Sequence, residues 1–122
     1  MKTSAVRVLV IEDDALIAML LSEILAGMGH EVCAMVATER EAVIAAADCK
    51  PDLMIVDAGL GQGSGISAVE AILRTRAIAH VFISGDAEPV RLRQPDAVVV
   101  RKPFRQAELV RAIEAALAAV VG

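Results

Sequence analysis

The sequence predicts an α/β fold in which helices cover both faces of a five-stranded parallel sheet. Short runs of β-branched residues alternate with segments of about ten to fifteen residues whose apolar side chains recur at helical spacing. This alternation is typical of βαβ units, in which the strands run parallel. The length of 122 residues suits one hydrophobic core, so we expect a single domain over residues 1–122.

Five strands and four helices of ordinary length are expected from these signals. The strands fall at residues 6–11, 31–37, 53–56, 80–84 and 97–101. The helices fall at residues 15–28, 38 to about 47, 64 to about 75, and 105–120. The segment Thr38-Glu39-Arg40-Glu41 is a capping box that opens the second helix, and Gly27-Met28-Gly29-His30 ends the first.

Helical spacing also predicts which side chains face the core. They are Ile17, Leu20, Leu21, Ile24 and Met28 in the first helix, Ile66, Val69, Ile72 and Leu73 in the third, and Leu109, Ile113, Leu117 and Val120 in the last. Residues 85–96 interrupt the pattern, because this segment contains two prolines and few bulky apolar residues. We expect a loop or at most one helical turn there, so the fourth helix is short or missing.

The run Leu53-Met54-Ile55-Val56 is the centre of the predicted sheet. It is apolar on both faces, which is typical of a buried strand in a parallel sheet. Asp57 follows at once, at the end of the strand where open α/β sheets place their ligands. Alternatively, Asp57 starts a turn or caps the helix that begins near Ser64. This stretch alone leaves both interpretations open.

Composition excludes several classes of function. Hydrophobic residues make up 57% of the chain, but alanine is the most frequent of them. No uncharged apolar run approaches the roughly 18 to 20 residues of a membrane span, and the amino-terminal residues do not form a signal peptide. We therefore expect a cytoplasmic protein without a membrane partner. The only aromatic residues are Phe82 and Phe104, and no uniformly basic surface is indicated, so direct binding of nucleic acid is not expected.

The two cysteines, Cys33 and Cys49, have neither CxxC nor zinc-ligand spacing. Cys33 belongs to an apolar run, and thiols in cytoplasmic proteins are kept reduced. We therefore expect a buried, reduced, structural thiol at least at Cys33.

Parallel strands joined by right-handed crossovers bring their carboxyl ends to one edge of the sheet. That edge gathers Glu12, Asp13, Asp14, Asp57, Ser84 and Lys102. Crowded carboxylates repel one another unless a cation lies among them, and oxygen ligands without histidine or cysteine suit Mg²⁺. A carboxylate can itself be the nucleophile in phosphoryl transfer. Simpler explanations remain for each residue, namely a solvated Lys102, a turn at Ser84 and a helix-dipole role for the acidic residues.

Four segments together resemble the response-regulator receiver domain, the chemotaxis-type fold, over essentially the whole chain. They are VLVIEDD at residues 8–14, PDLMIVD at 51–57, SG at 84–85 and RKPF at 101–104. The resemblance implies a flavodoxin-like, doubly wound fold with strand order 2-1-3-4-5 and Asp57 as the phosphoacceptor. It implies Mg²⁺ held by Asp13, Asp57 and the backbone carbonyl of Gly59, with Glu12 acting through water.

The same resemblance gives roles to two further residues and to the chain as a whole. Ser84 would bind a phosphoryl oxygen, and Lys102, followed by a cis peptide to Pro103, would pair with the phosphoryl group. The donor would be a sensor histidine kinase or a histidine phosphotransfer protein, and the output an altered contact with a downstream protein target. Such a chain slowly hydrolyses its own aspartyl phosphate but is not a turnover enzyme on a separate substrate. We expect a monomer or weak homodimer without an output domain.

Two residues depart from the family pattern. Gly61 stands four residues beyond the phosphoacceptor, where the family often has proline, and Val99 replaces the aromatic switch residue. Three segments, FISGD at residues 82–86, LGQGSG at 60–65 and RKPF at 101–104, together resemble an atypical alphaproteobacterial subgroup of mostly single-domain regulators whose fourth helix is degenerate. The main alternative is a receiver-fold binding module that works without phosphorylation. The alternating glycines of residues 59–65 lack the GxGxxG spacing of a dinucleotide site, so nucleotide binding is not expected.

Overall fold

A computed structural model describes residues 5–121, with the side chains of residues 5–119. The strands are β1 (Arg7–Ile11), β2 (Glu31–Val36), β3 (Leu53–Asp57), β4 (Ala79–Ser84) and β5 (Val98–Arg101). The helices are α1 (Ala15–Gly27), α2 (Glu39–Cys49), α3 (Gly65–Leu73), α4 (Glu88–Arg93) and α5 (Gln106–Val121). All neighbouring strands pair in parallel in the order β2-β1-β3-β4-β5. This order confirms the predicted flavodoxin-like topology.

Both faces of the sheet are covered because successive residues of a strand point to opposite sides. In β3, Leu53 and Ile55 join a core formed with α1 and α5, whereas Met54 and Val56 join a core formed with α2, α3 and α4. All four side chains are fully buried. The central strand is therefore buried on both faces, as its apolar run predicts.

Side-chain caps set the start of three helices. Asp14 accepts hydrogen bonds from the backbone N–H groups of the first turn of α1, and Ser64 does the same for α3. At α2, the Thr38 hydroxyl accepts from Glu41 N at 3.1 Å. The Glu41 carboxylate reaches back to Ala37 N at 3.2 Å, one residue before the position that a capping box usually bonds. The predicted cap of α2 is thus present in a slightly shifted form.

One predicted core position in α1 is wrong. Leu20 is 47% exposed, and Leu25 is fully buried in its place. The buried stripe of this helix is centred on Leu21 and Leu25, which are four residues apart, so Leu20 lies to one side of it. The inward position predicted for Val120 lies outside the described side chains. Among the described helices, none combines the length and apolarity that crossing a membrane requires.

The short helix α4 occupies the segment for which the sequence predicts a loop or at most one turn. Pro89 lies in its first turn, where backbone N–H groups have no acceptor within the helix, so the missing N–H of proline costs no hydrogen bond. Val90 is fully buried against the core under α2 and α3. Arg93 forms an ion pair with Glu70 of α3, its Nε donating to Oε2 at 3.1 Å. The fourth helix is therefore short, as predicted, but its six residues exceed one turn.

The expectation of a buried, reduced thiol at Cys33 is wrong. Cys33 and Cys49 form a disulfide whose Cα atoms lie 6.2 Å apart, and both residues are only partly buried. The pairing follows from the βα geometry, because α2 runs back along the sheet and brings its last residue level with the start of β2. A sequence separation of 16 residues conceals this proximity.

Candidate functional site

The carboxyl ends of four strands meet at one edge of the sheet, and the predicted site residues lie there. Glu12 and Asp13 follow β1, Asp57 ends β3, Ser84 ends β4 and Lys102 follows β5. The backbone links the last two, since Lys102 N donates to Ser84 O at 2.9 Å. The topology thus brings together five side chains that are separated by up to ninety residues, from position 12 to position 102.

Three of these residues form a carboxylate cluster. Glu12, Asp13 and Asp57 each offer one oxygen, and these oxygens all lie within 4.8 Å of one another. Glu12 and Asp57 are buried, at 4% and 6% exposure, whereas Asp13 is exposed. Asp14 is occupied elsewhere, because its Oδ1 accepts from Leu16 N at 2.9 Å as the cap of α1. The acidic segment after β1 is therefore divided between a helix cap and the cluster.

Among the described residues, Lys102 is the positively charged side chain that pairs with this cluster. Its Nζ lies 3.2 Å from Asp57 Oδ2 and 3.8 Å from Glu12 Oε1. The Lys102–Pro103 peptide is cis, as the resemblance implies. One ammonium opposes three carboxylates, so the ionised cluster keeps a formal charge of −2 that favours a divalent cation.

Glu12 provides a direct test of whether a metal ion fits. Its Oε2 accepts from Asp14 N at 3.0 Å. Its Oε1 is buried and accepts no hydrogen bond from the described residues, although buried carboxylate oxygens are normally satisfied. An unsatisfied oxygen in an all-oxygen donor set suits a hard cation such as Mg²⁺, which keeps several of its waters. The residues present therefore fit this ion.

The surroundings of Glu12 also change its acidity. Burial is the main cause, and the neighbouring Asp57 carboxylate adds to it because it favours the protonated form of Glu12. The Asp14 N–H and Lys102 act in the opposite direction. The net result raises the pKa of Glu12 from 4.5 to about 7.

Because of this raised pKa, the metal-free protein should lose stability as the pH rises. The protonated Glu12 carboxyl stabilises the fold fully below pH 4.5, and its contribution is lost as the pH rises through about 7. Glu12→Gln keeps an acceptor for Asp14 N–H but does not ionise. We expect the difference in unfolding free energy, variant minus wild type, to be about 1 to 3 kcal/mol larger at pH 8 than at pH 5.

Chemical denaturation at several pH values, with EDTA present, measures this difference. Glu23→Gln removes an exposed carboxylate of α1 and is the matched control, which should follow the wild-type profile. Parallel pH profiles for Glu12→Gln and the wild type would contradict the expected role of Glu12.

The remaining predicted residues lie at the same edge with different contacts. Both hydrogen bonds of the Ser84 hydroxyl go to Asp86, donating to its carbonyl at 2.6 Å and accepting from its N–H at 3.1 Å. The hydroxyl is thus part of the β4–α4 turn. Gly59 N donates to Asp57 Oδ1 at 3.0 Å. The metal-ligand role of the Gly59 carbonyl stays a prediction.

One contact in the site was missed by the sequence reasoning. Gly61 N donates to Asp13 Oδ2 at 2.8 Å, so the loop after β3 touches the cluster through a backbone group. The sequence showed only that glycine stands where the family often has proline. The contact itself could not be predicted, because a backbone donor has no side-chain signature.

Comparison with known proteins identifies the fold and the family. A sequence model described as the response regulator receiver domain matches residues 8–114. The chain belongs to this family. One relative of the receiver domain is the phyllosphere-induced regulator PhyR of Methylorubrum extorquens, which is 38% identical over 119 residues. The match covers 93% of this chain and 44% of that regulator.

Solved structures show the same relationship. The receiver (REC) domain of the Erythrobacter litoralis PhyR response regulator has a TM-score of 0.82 at 36% identity, covering 93% of this chain and 91% of that one. The anti-anti-sigma factor PhyR of Bartonella quintana has a TM-score of 0.80 at 33% identity, covering 98% of this chain and 50% of that one. This receiver domain thus spans about half the length of the first curated relatives that it matches.

These matches confirm the resemblance on which the site was predicted. Receiver domains belong to two-component systems and bind Mg²⁺ at an acidic pocket, and in the described part of this chain Glu12, Asp13 and Asp57 form an acidic cluster. As a class they are not turnover enzymes.

Proposed function

We propose that this receiver domain accepts a phosphoryl group on Asp57 and passes the signal on through altered protein contacts. The observation that carries the proposal is the position of Lys102 Nζ, 3.2 Å from an Asp57 carboxylate that also belongs to the three-carboxylate cluster. A nucleophilic carboxylate, a lysine and oxygen ligands for a divalent cation are the parts that phosphoryl transfer requires.

In the proposed reaction, an Asp57 carboxylate oxygen attacks phosphorus. The new oxygen–phosphorus bond forms as the bond between phosphorus and the donor breaks. In a phosphohistidine donor the broken bond is the phosphorus–nitrogen bond, and the imidazole leaves with its electron pair. Lys102 neutralises charge on the transferred group. Mg²⁺, held by Asp13, Asp57 and the Gly59 carbonyl with Glu12 acting through water, would supply further positive charge at the phosphoryl oxygens.

Ser84 is proposed as the residue that responds to the phosphoryl group. Its hydroxyl ends β4 at the same edge and is held by Asp86. Rotation about its side-chain bond would allow it to donate to a phosphoryl oxygen instead, which would cost the hydrogen bonds to Asp86. The β4–α4 turn is therefore the segment whose geometry depends most directly on the state of Asp57.

The proposed donor is a sensor histidine kinase or a histidine phosphotransfer protein. The proposed location is the cytoplasm, where the partly buried Cys33–Cys49 pair would be open to reduction. The matched relatives include a protein described as an anti-anti-sigma factor, which favours a protein as the downstream target. The domain would act as a monomer or weak homodimer, and its aspartyl phosphate would hydrolyse slowly without turnover of a separate substrate.

Incubation with acetyl phosphate, followed by intact mass measurement, tests the proposal. We expect one phosphoryl adduct on the wild type that depends on Mg²⁺ and is absent from Asp57→Ala. Asp48→Ala removes an exposed aspartate of α2 and is the matched control, which should be phosphorylated like the wild type.

A folded wild type that takes no phosphoryl group from acetyl phosphate, or from a phosphorylated histidine phosphotransfer protein, would contradict the proposal. That result would favour the alternative, a receiver-fold binding module that works without phosphorylation. Binding of Mg²⁺ to the same sample, measured by calorimetry, separates a lost metal site from a lost transfer reaction.

A further inference from the structure

Asp13 is the exposed member of the carboxylate cluster, and a backbone N–H of the β3–α3 loop holds it. The N–H of Gly61 donates to Asp13 Oδ2 at 2.8 Å. Gly61 lies four residues beyond Asp57 along the chain. The loop that follows the predicted phosphoacceptor therefore returns to bond a predicted metal ligand on the neighbouring strand end.

This bond acts against the forces that would move Asp13 out of the cluster. An exposed aspartate has free rotamers, and the charges of Glu12 and Asp57 repel it. A hydrogen bond from an N–H to a carboxylate is short and stronger than a neutral one, so it restricts the side chain to one orientation. The bond uses only Oδ2, which leaves Oδ1 of Asp13 for a cation.

The donor is itself held in place from the other side of the loop. Glu39, the first residue of α2, accepts from Ser64 N at 2.9 Å and donates through its own N–H to Gln62 O at 3.3 Å. Gly63 between them has φ +83°, and a Cβ there would lie 2.5 Å from the Glu39 Cβ. The loop is thus tied to α2 as well as to Asp13, so it cannot swing away from the cluster freely.

We propose that the Gly61 N–H is a positioning group for the Mg²⁺ site of this receiver domain. It orients Asp13 towards Glu12 and Asp57 before the cation arrives, and so raises the affinity for Mg²⁺. The inference rests on the proposed metal site of the phosphoacceptor. It also gives a physical meaning to the absence of proline at this position, since proline has no N–H to donate.

Calorimetric titration of Mg²⁺ into the purified chain, without a phosphodonor, tests this role. Gly61→Pro removes the donor, and the backbone of Gly61 is not in the left-handed region that excludes proline. Gly61→Ala keeps the donor and adds a Cβ 3.0 Å from Asp13 Oδ2. Hydrogen bonds that orient a metal ligand typically change metal affinity by about 10- to 100-fold. We therefore expect the Kd for Mg²⁺ to rise about tenfold in Gly61→Pro and less than about threefold in Gly61→Ala.

An unchanged Kd in Gly61→Pro, or equal weakening in both variants, would overturn the inference. If Gly61→Pro does not fold, hydrogen exchange of the Gly61 amide in the metal-free wild type tests whether its bond to Asp13 exists. A Gly61 amide that is protected in the wild type and exchanges faster in Asp13→Ala supports the bond, and an unprotected amide overturns it. Failure of the wild type to bind Mg²⁺ or to be phosphorylated would instead count against the proposed function.

Discussion

Lys102→Ala is expected to slow phosphoryl uptake from acetyl phosphate by about 10²- to 10³-fold, the effect of removing one group that stabilises charge in the transition state. In the structure its Nζ lies 3.2 Å from Asp57 Oδ2, where negative charge of the transferred group would accumulate. The same variant should bind Mg²⁺ more tightly than the wild type. The ammonium and the divalent cation compete for the carboxylates of Asp57 and Glu12, so removing one favours the other.

These opposite effects make the Lys102 experiment specific. Rates of adduct formation by mass spectrometry and Mg²⁺ affinity by calorimetry are measured on the same samples. Arg105→Ala is the matched control, because it removes one exposed positive charge three residues further on. It should change neither quantity by more than a small factor. Uptake by Lys102→Ala at the wild-type rate would exclude Lys102 from the transfer.

The second large effect is expected at the start of α3. Gly65→Ala should lower the free energy of unfolding by about 4 kcal/mol, because overpacking here involves the backbone. A Cβ at Gly65 would lie 2.0 Å from the carbonyl oxygen of Asp57 and 2.8 Å from Val56 Cγ1. Relief requires α3 to move away from β3, which would stretch the bond between Gly65 N and Ala58 O, now 3.1 Å.

Denaturant unfolding at fixed pH measures this loss, and a second glycine supplies the control. Gly27 ends α1 in the open, with no atom within 4 Å of an added Cβ. Gly27→Ala should therefore be neutral or stabilising by up to about 1 kcal/mol. A Gly65→Ala protein as stable as the wild type would show that α3 can separate from β3 without cost.

The fold could be predicted from the sequence because the informative signals were local. The apolar run of residues 53–56 predicted a strand buried on both faces, and the acidic and basic residues at successive strand ends predicted one shared edge. Each of these depends on side-chain type and spacing, which the sequence displays directly. Parallel topology then converts the order along the chain into proximity in space.

What the sequence could not supply depends on geometry between distant segments. The Cys33–Cys49 disulfide requires knowing how far α2 runs back along β2. The contact between Gly61 and Asp13 uses a backbone donor that every residue except proline has. The hydroxyl of Ser84 could have pointed towards Asp57 or into its own turn, and residue type does not distinguish these rotamers.

The turn at Ser84 has a consequence for the strength of the signal. Its hydroxyl already makes two hydrogen bonds to Asp86, and the Asp86 carboxylate in turn accepts from Glu88 N at the start of α4 at 3.0 Å. If Asp57 is the phosphoacceptor, as proposed, a phosphoryl group there would gain from Ser84 only the free-energy difference between two hydrogen-bonded arrangements of the hydroxyl. We expect such a balance to give a response that is easily reversed. The six residues of α4 are too few to form a stable helix without the packing of Val90 and the Arg93–Glu70 ion pair.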